Sequence, residues 1–185
     1  MFGDDPRLHE ALFKALRLAL GIPAAEAPAR LLRAYASPPP PQGSREENLC
    51  FWHLTPDLSA PLLRETQVKS GRSQHFRFLP YQLVLVFYGP EAETWALRAR
   101  ENLYIDGIAN PLGILRHAGL YLIPPTQPPS ILWEESGSLY RKRADLILNA
   151  RLLDNSDENP AASRPLPAET VETPPAVIPF VQTNG

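Results

Sequence analysis

Proline constrains this chain more than any other residue. It accounts for 22 of 185 residues, about 12% where a typical share is roughly 5%, and it is clustered. The clusters are Pro38 to Pro41, Pro124 to Pro129, and the stretch from Pro160 onward. Proline fixes φ and has no amide hydrogen to give to a helix or a sheet ladder, so these stretches read as two loops and a tail. Regular structure is confined to the segments between them. The length suits one core of ordinary size, because a second independent domain would leave both halves marginal. The expected division is a folded domain over 1–154 and a proline-rich extended arm over 155–185.

The first segment opens with Asp5 as a helix N-cap and Pro6 at the first helical position, where a missing N–H costs nothing. Leu8, Leu12, Ala15, Leu16 and Ala19 recur at steps of three and four, so the spacing predicts an amphipathic helix to Leu20 that stops at Gly21. One further helical turn is expected at Ala29 to Tyr35. Leu49 to Thr55 is rich in strand formers and ends at Pro56-Asp57; Arg64 to Lys69 is a weaker, polar strand for an edge or hairpin arm. Tyr81 to Tyr88 holds the continuous apolar run Leu83 to Phe87, which predicts a central strand covered on both faces. Val84, Val86, Trp95 and Leu146 are expected to pack together.

Gly89-Pro90 ends that strand and opens a second helix with Pro90 at its first position and Ala92, Trp95, Ala96, Ala99 and Leu103 as its buried stripe. Asn110-Pro111 starts a short third helix reaching Gly119, and Leu120 to Ile123 forms another strand. From Leu139 to Leu152 the residues Tyr140, Ala144, Leu146, Leu148, Ala150 and Leu152 alternate with Arg141, Arg143, Asp145, Asn149 and Arg151. That is a long half-buried strand with one ionic face.

Several kinds of chemistry find no footing in these residues. The net charge of -2 gives no electrostatic excess to hold nucleic-acid phosphates or an anionic membrane. The single cysteine, Cys50, rules out an intrachain disulfide and any multi-cysteine metal site, and suits a reducing cytoplasm. The start of the chain has no signal-peptide pattern, and no apolar run approaches the roughly 20 residues of a membrane span. His9, His53, His75 and His117 are scattered with no metal-ligand spacing, so no metal or cofactor is expected. Cys50 and His53 are three apart on a strand and point to opposite faces, which favours Cys50 as a core residue over a nucleophile. No glycine-rich phosphate loop is present. Glu134-Glu135 reads as a solvated pair in a loop. Arg141, Lys142 and Arg143 read as a solvent or subunit-contact face, with phosphate contact as the alternative. The chain is read as a non-enzyme.

Several segments, in order, resemble the phage neck terminator family, related in role to the tail terminators of long-tailed bacteriophages. The proline loop Pro38 to Gln42 leads to Asn48-Leu49-Cys50-Phe51. The apolar strand Leu83 to Phe87 runs into Tyr88-Gly89-Pro90-Glu91-Ala92 and a helix that contains Trp95. Trp133 precedes Arg143-Ala144-Asp145-Leu146. The resemblance covers roughly Asp4 to Leu153. It implies an α/β fold, an α+β sandwich with helices packed on a mainly antiparallel sheet. It also implies a hexameric ring that caps the head-proximal end of the tail tube, stops its growth and meets the head. The implied partners are other copies of the chain, the tail tube protein, head–tail connector or adaptor proteins and the tail sheath, with genomic DNA passing through the ring without sequence-specific binding. The implied location is the neck of the virion, assembled in the host bacterial cytoplasm.

Three other readings stand beside this one: another head–tail joining or tail completion protein, a small hydrolase or nucleotide-binding enzyme, and an adaptor for proline-rich partners. As subunit or partner contacts the sequence offers Arg141, Arg143, Asp145 and Arg151. It also offers an apolar patch late in the tail, Val177, Ile178, Phe180 and Val181, expected to dock on a neighbour by strand addition or by filling a groove.

Overall fold

The computed structural model describes residues 5–34, 46–69, 72–136 and 139–154. Helix α1 (Pro6–Leu20) begins with the Asp5 carboxylate accepting the Arg7 N–H at 2.9 Å. It ends at Gly21 in the left-handed region, where Gly21 N–H donates to Leu18 O and Ile22 N–H to Arg17 O. This paired closure satisfies carbonyls that the last turn leaves open. The face of α1 predicted to be apolar is buried throughout.

The turn expected at Ala29 to Tyr35 is placed differently. One turn, α2 (Ala27–Arg30), comes earlier, and Leu31–Arg33 forms β1, parallel to β2 (Leu49–Pro56). Ala34 N–H donates to Trp52 O at 2.9 Å, so the free edge of β2 captures a segment of good helix formers, and tertiary pairing overrides local propensity. Tyr35 lies outside the described residues.

The remaining elements are β3 (Leu63–Lys69), β4 (Arg72–Tyr88), α3 (Ala92–Asn102), α4 (Pro111–His117), β5 (Leu120–Leu122), β6 (Ser130–Ser136) and β7 (Leu139–Asp154). They form one seven-stranded sheet in the order β1-β2-β4-β7-β5, with β3 on the first half of β4 and β6 on the first half of β7. Every pairing except β1–β2 is antiparallel. The fold is thus α+β, a mixed and mostly antiparallel sheet with helices packed on it. The core lies between α1, α3, α4 and the alternate residues Leu83, Leu85, Phe87, Leu146, Leu148 and Ala150, with Cys50 and Trp52 beside them.

The central strand extends further than its apolar run, and it is covered differently. It begins at Arg72, and only its odd-numbered residues from Tyr81 to Phe87 are buried; Gln82, Val84, Val86 and Tyr88 are half-buried on the face opposite the helices. Val84 and Val86 therefore do not join Trp95 and Leu146 in the core, because successive side chains on a strand point to opposite faces. Val86 instead pairs in register with Phe51 and Asp145.

The long strands β4 and β7 are also offset. Their mutual pairing runs from Arg77↔Asp154 to Tyr88↔Arg143. Arg72–Phe76 overhangs one end of the sheet with β3, and Leu139–Lys142 overhangs the other end with β6. Each overhang is a hairpin arm.

Candidate assembly interface

Two segments far apart in sequence meet at the root of the β6–β7 arm. At the end of β4, Gly89 has φ +113, and a Cβ there would lie 2.5 Å from both Asn48 Oδ1 and Glu47 O, so only glycine fits. Pro90 falls in this turn and α3 starts two residues later than Pro90, a correction to its expected place at the first helical position. The cap is supplied from a different element. Glu91 N–H donates to Asn48 Oδ1 at 2.9 Å, and Asn48 Nδ2 donates back to Glu91 Oε2 at 3.1 Å. Gly89 N–H donates to Lys142 O at 3.2 Å, which ties the same turn to β7.

Tyr88 stands on the helix-free face of the sheet. Its hydroxyl donates to Glu134 Oε2 at 2.8 Å, and Arg143 Nη1 reaches that oxygen at 3.3 Å. Arg143 also grips Asp145 as a fork, Nε to Oδ1 at 2.7 Å and Nη2 to Oδ2 at 2.8 Å, a geometry that a lysine cannot reproduce. The guanidinium carbons of Arg141 and Arg143 lie 4.8 and 5.8 Å from the Tyr88 ring centre. Phe51 meets the ring edge-on at 5.8 Å. Burial, reinforced by the bond to Glu134, pushes the Tyr88 phenol up to about 12. The Asp145 fork raises Arg143, which stays cationic.

The basic triplet is therefore occupied within the fold. Arg141 lies over Tyr88 and donates to Glu47 O at 3.4 Å, Lys142 Nζ pairs with Glu93 at 2.7 Å, and Arg143 is held by Asp145 and Glu134. Charges balanced in this way favour a structural corner over a phosphate site. Glu134 and Glu135 correct another expectation: they lie on β6, opposite Arg141 and Tyr140, and not in a loop. Arg151 lies apart from this corner, eight residues further along β7, about 27 Å at the usual strand rise. It lines a shallow hollow with Asp57, Phe78, Tyr81 and Asn149. There Asp57 accepts from the Ser59 hydroxyl at 2.6 Å and the Ser59 N–H at 3.0 Å, bonds that hold its carboxyl below the usual range.

Trp95 is a core residue, whereas Trp133 is 67% exposed. Around Trp133 the arm also exposes Ile131, Leu132 and Tyr140. Tyr140 thus lies outside the buried series of β7, which begins at Ala144. Strand β6 was missed in the sequence, although the residues Ser136-Gly137-Ser138 between Ile131-Leu132-Trp133 and the Leu139 strand are a sequence signal for a hairpin. Val177, Ile178, Phe180 and Val181 lie outside the described residues.

Cys50 is buried on the helix side of β2, where burial pushes its thiol up and disfavours the thiolate. His53 lies on the opposite face, its pKa lowered by desolvation. His9 packs against Trp52 at 5.5 Å. Among the described residues no three His, Cys, Asp or Glu side chains gather as a metal site, and no helix is long and apolar enough to cross a membrane. Comparison with protein-family models and with curated proteins finds no match to this chain in either.

Proposed function

We propose that this chain is a structural, non-enzymatic subunit of a tailed bacteriophage. It assembles into a ring that caps the head-proximal end of the tail tube and presents its other side to the head connector. One observation supports this reading most. The segments that carry the family resemblance, Tyr88 to Ala92 and Trp133 to Leu146, fold into a single bonded corner, although 46 residues separate the hydrogen-bonded pair Tyr88 and Glu134. That corner does no chemistry: its charges are mutually satisfied and its groups are locked by two neighbouring strands and a helix start. What it does mechanically is brace a hairpin arm with exposed apolar side chains, a feature that suits subunit contact.

The ring reading has a physical basis. A tube of stacked rings grows through an interface that never closes along its axis, so growth ends only when a subunit matches the tube on one side and refuses it on the other. Electron microscopy of tails assembled with and without the protein tests the reading. Tails should be of uniform length with it and of scattered length without it, and uniform tails in its absence would refute the capping role.

A further inference from the structure

We infer that β6 is the acceptor edge for the apolar segment Val177–Val181 of a neighbouring protomer, which adds to the sheet as an antiparallel or parallel strand. This rests on the proposed ring, since the donor and acceptor are different copies of the chain. Strand β6 pairs only with β7 among the described residues, so its other edge presents unpaired backbone groups along Ser130–Ser136. On that edge Ile131, Leu132 and Trp133 are 40, 46 and 67% exposed. Consecutive exposed apolar residues on an open edge invite pairing with another chain, and natural proteins cover or charge such edges.

The tail segment has matching chemistry. Val177-Ile178-Pro179-Phe180-Val181 is an apolar, largely β-favouring run, preceded by Pro174-Pro175-Ala176 and followed by the polar Gln182-Thr183-Asn184. Its one proline selects the pairing side. Backbone amides alternate along a strand, so Ile178 and Phe180 point their amides one way and Pro179 sits on the other. Pairing through Ile178 and Phe180 places the proline, which has no N–H, on the outer side, where it would block the addition of a further strand. In that arrangement Ile178 and Phe180 share one face of the sheet at the two-residue spacing of Ile131 and Trp133.

Chain geometry favours a neighbour. The described fold ends at Asp154, while β6 pairs with the opposite end of β7, over Leu139–Asp145. Nine to fifteen strand residues separate these points, roughly 30 to 50 Å. The 22 residues from Asn155 to Ala176 include Pro160, Pro165, Pro167, Pro174 and Pro175, so the linker is a semi-rigid spacer that spans about 68 Å as polyproline II. The chain leaves β7 at the end away from β6, so return to the same β6 requires a proline-stiffened linker to double back, whereas an adjoining subunit that meets this end lies along its path.

Amide hydrogen exchange on the full chain tests the inference, comparing the intact sequence with the double substitution Ile178→Asp and Phe180→Asp. The altered residues lie outside the described residues, and exchange at residues 81–88 reports whether the domain is unaffected. Residues 130–136 should exchange at least about tenfold more slowly in the intact protein. Residues 81–88 should exchange equally in both, and light scattering should show a smaller particle for the variant. Equal exchange at β6 in the two proteins overturns strand addition. Protection that persists on dilution to the monomer means the segment folds onto its own β6 and overturns exchange between protomers. Tail length plays no part in these readouts, so failure here and failure of the capping role are separately visible.

Discussion

Truncating Leu85 and Val86 to alanine distinguishes the two faces of the sheet, because these adjacent residues of β4 have opposite surroundings. Leu85 is fully buried and in register with Trp52 and Leu146, both in the core. Leu85→Ala leaves a cavity in the core, and such truncations cost about 2–5 kcal/mol. Val86 is half-buried, with Phe51 and Asp145 as its register partners. Val86→Ala removes about two methyl groups' worth of contact, each worth about 0.8 kcal/mol if fully buried, so roughly half of that, about 0.8 kcal/mol, is at stake. With a urea slope of about 2 kcal/mol/M, Leu85→Ala should lower the midpoint by about 1.5 M and Val86→Ala by about 0.4 M. Fluorescence from the buried Trp52 and Trp95 reports the transition. Equal shifts, or a larger one for Val86, would show that the helix-covered face has been misassigned.

The aspartate versions separate more sharply. An unpaired carboxylate at Leu85 costs several kcal/mol against a total stability of roughly 5–15, and soluble expression should be lost. At Val86 the carboxylate keeps part of its water and faces Asp145, a like-charge opposition worth no more than about 1 kcal/mol. Val86→Asp should therefore fold, in contrast to the loss of folding that the unbroken apolar run of β4 suggests.

Three further outcomes are expected. Gly89→Ala forces a Cβ into Asn48 and Glu47 at a φ of +113 and should cost at least about 1–3 kcal/mol, read as a fall in thermal midpoint; an unchanged midpoint would mean the turn can relax. Arg143→Lys should lose the fork on Asp145 and lower stability by about 1 kcal/mol while retaining the charge, whereas a fully silent substitution would mean the corner is held by its other bonds. Tyr88 ionises near 12 in the folded protein and near 10 when unfolded, so its contribution is fully present below pH about 10 and is lost as pH rises toward about 12. Tyr88→Phe should flatten that part of the alkaline stability profile, and an identical profile would remove Tyr88 from the account.

Much of the fold was legible because local rules and tertiary structure agree. The Asp5-Pro6 start and Gly21 stop of α1 have one mechanism each, and the buried stripe of α3 follows the helical period. The long alternation of β7 follows the strand period, and the alternate exposure of β4 departs from its sequence for a definable reason. Leu83 to Phe87 is apolar at every position, so nothing in its pattern says that one face lacks a helix. Residues Leu31–Arg33 became a strand because β2 offered them an edge, which is information held by another segment. The site was legible only in pieces. Arg141, Arg143 and Asp145 were visible as one ionic face, and Tyr88-Gly89-Pro90 as one turn, but no local pattern states that Glu134 would join them. That contact depends on β6 pairing with β7 in the register Glu134↔Arg141.

The offset of β4 and β7 bears on how such a subunit could close a ring. A heterologous ring needs two different, mutually complementary surfaces on each subunit, placed so that repetition turns through a full circle. A sheet with flush ends and strands of equal length presents similar rims on both sides. Here the five-residue overhang Arg72–Phe76 with β3 extends one end, and the four-residue overhang Leu139–Lys142 with β6 extends the other. The two arms differ in chemistry. The β6–β7 arm exposes Ile131, Leu132, Trp133 and Tyr140, whereas β3 is Leu-Arg-Glu-Thr-Gln-Val-Lys, polar over most of its length. A two-fold dimer needs only one patch that matches itself, so the proposed ring rests on a second surface complementary to the apolar arm and not on the difference between the two ends. In the proposed ring, an apolar arm braced by the Tyr88–Glu134–Arg143 corner would be held in place before its partner arrives, so little conformational entropy would remain to be lost on assembly. Loosening the corner should then weaken association more than it weakens folding, and the Arg143→Lys protein is the one in which to compare the two.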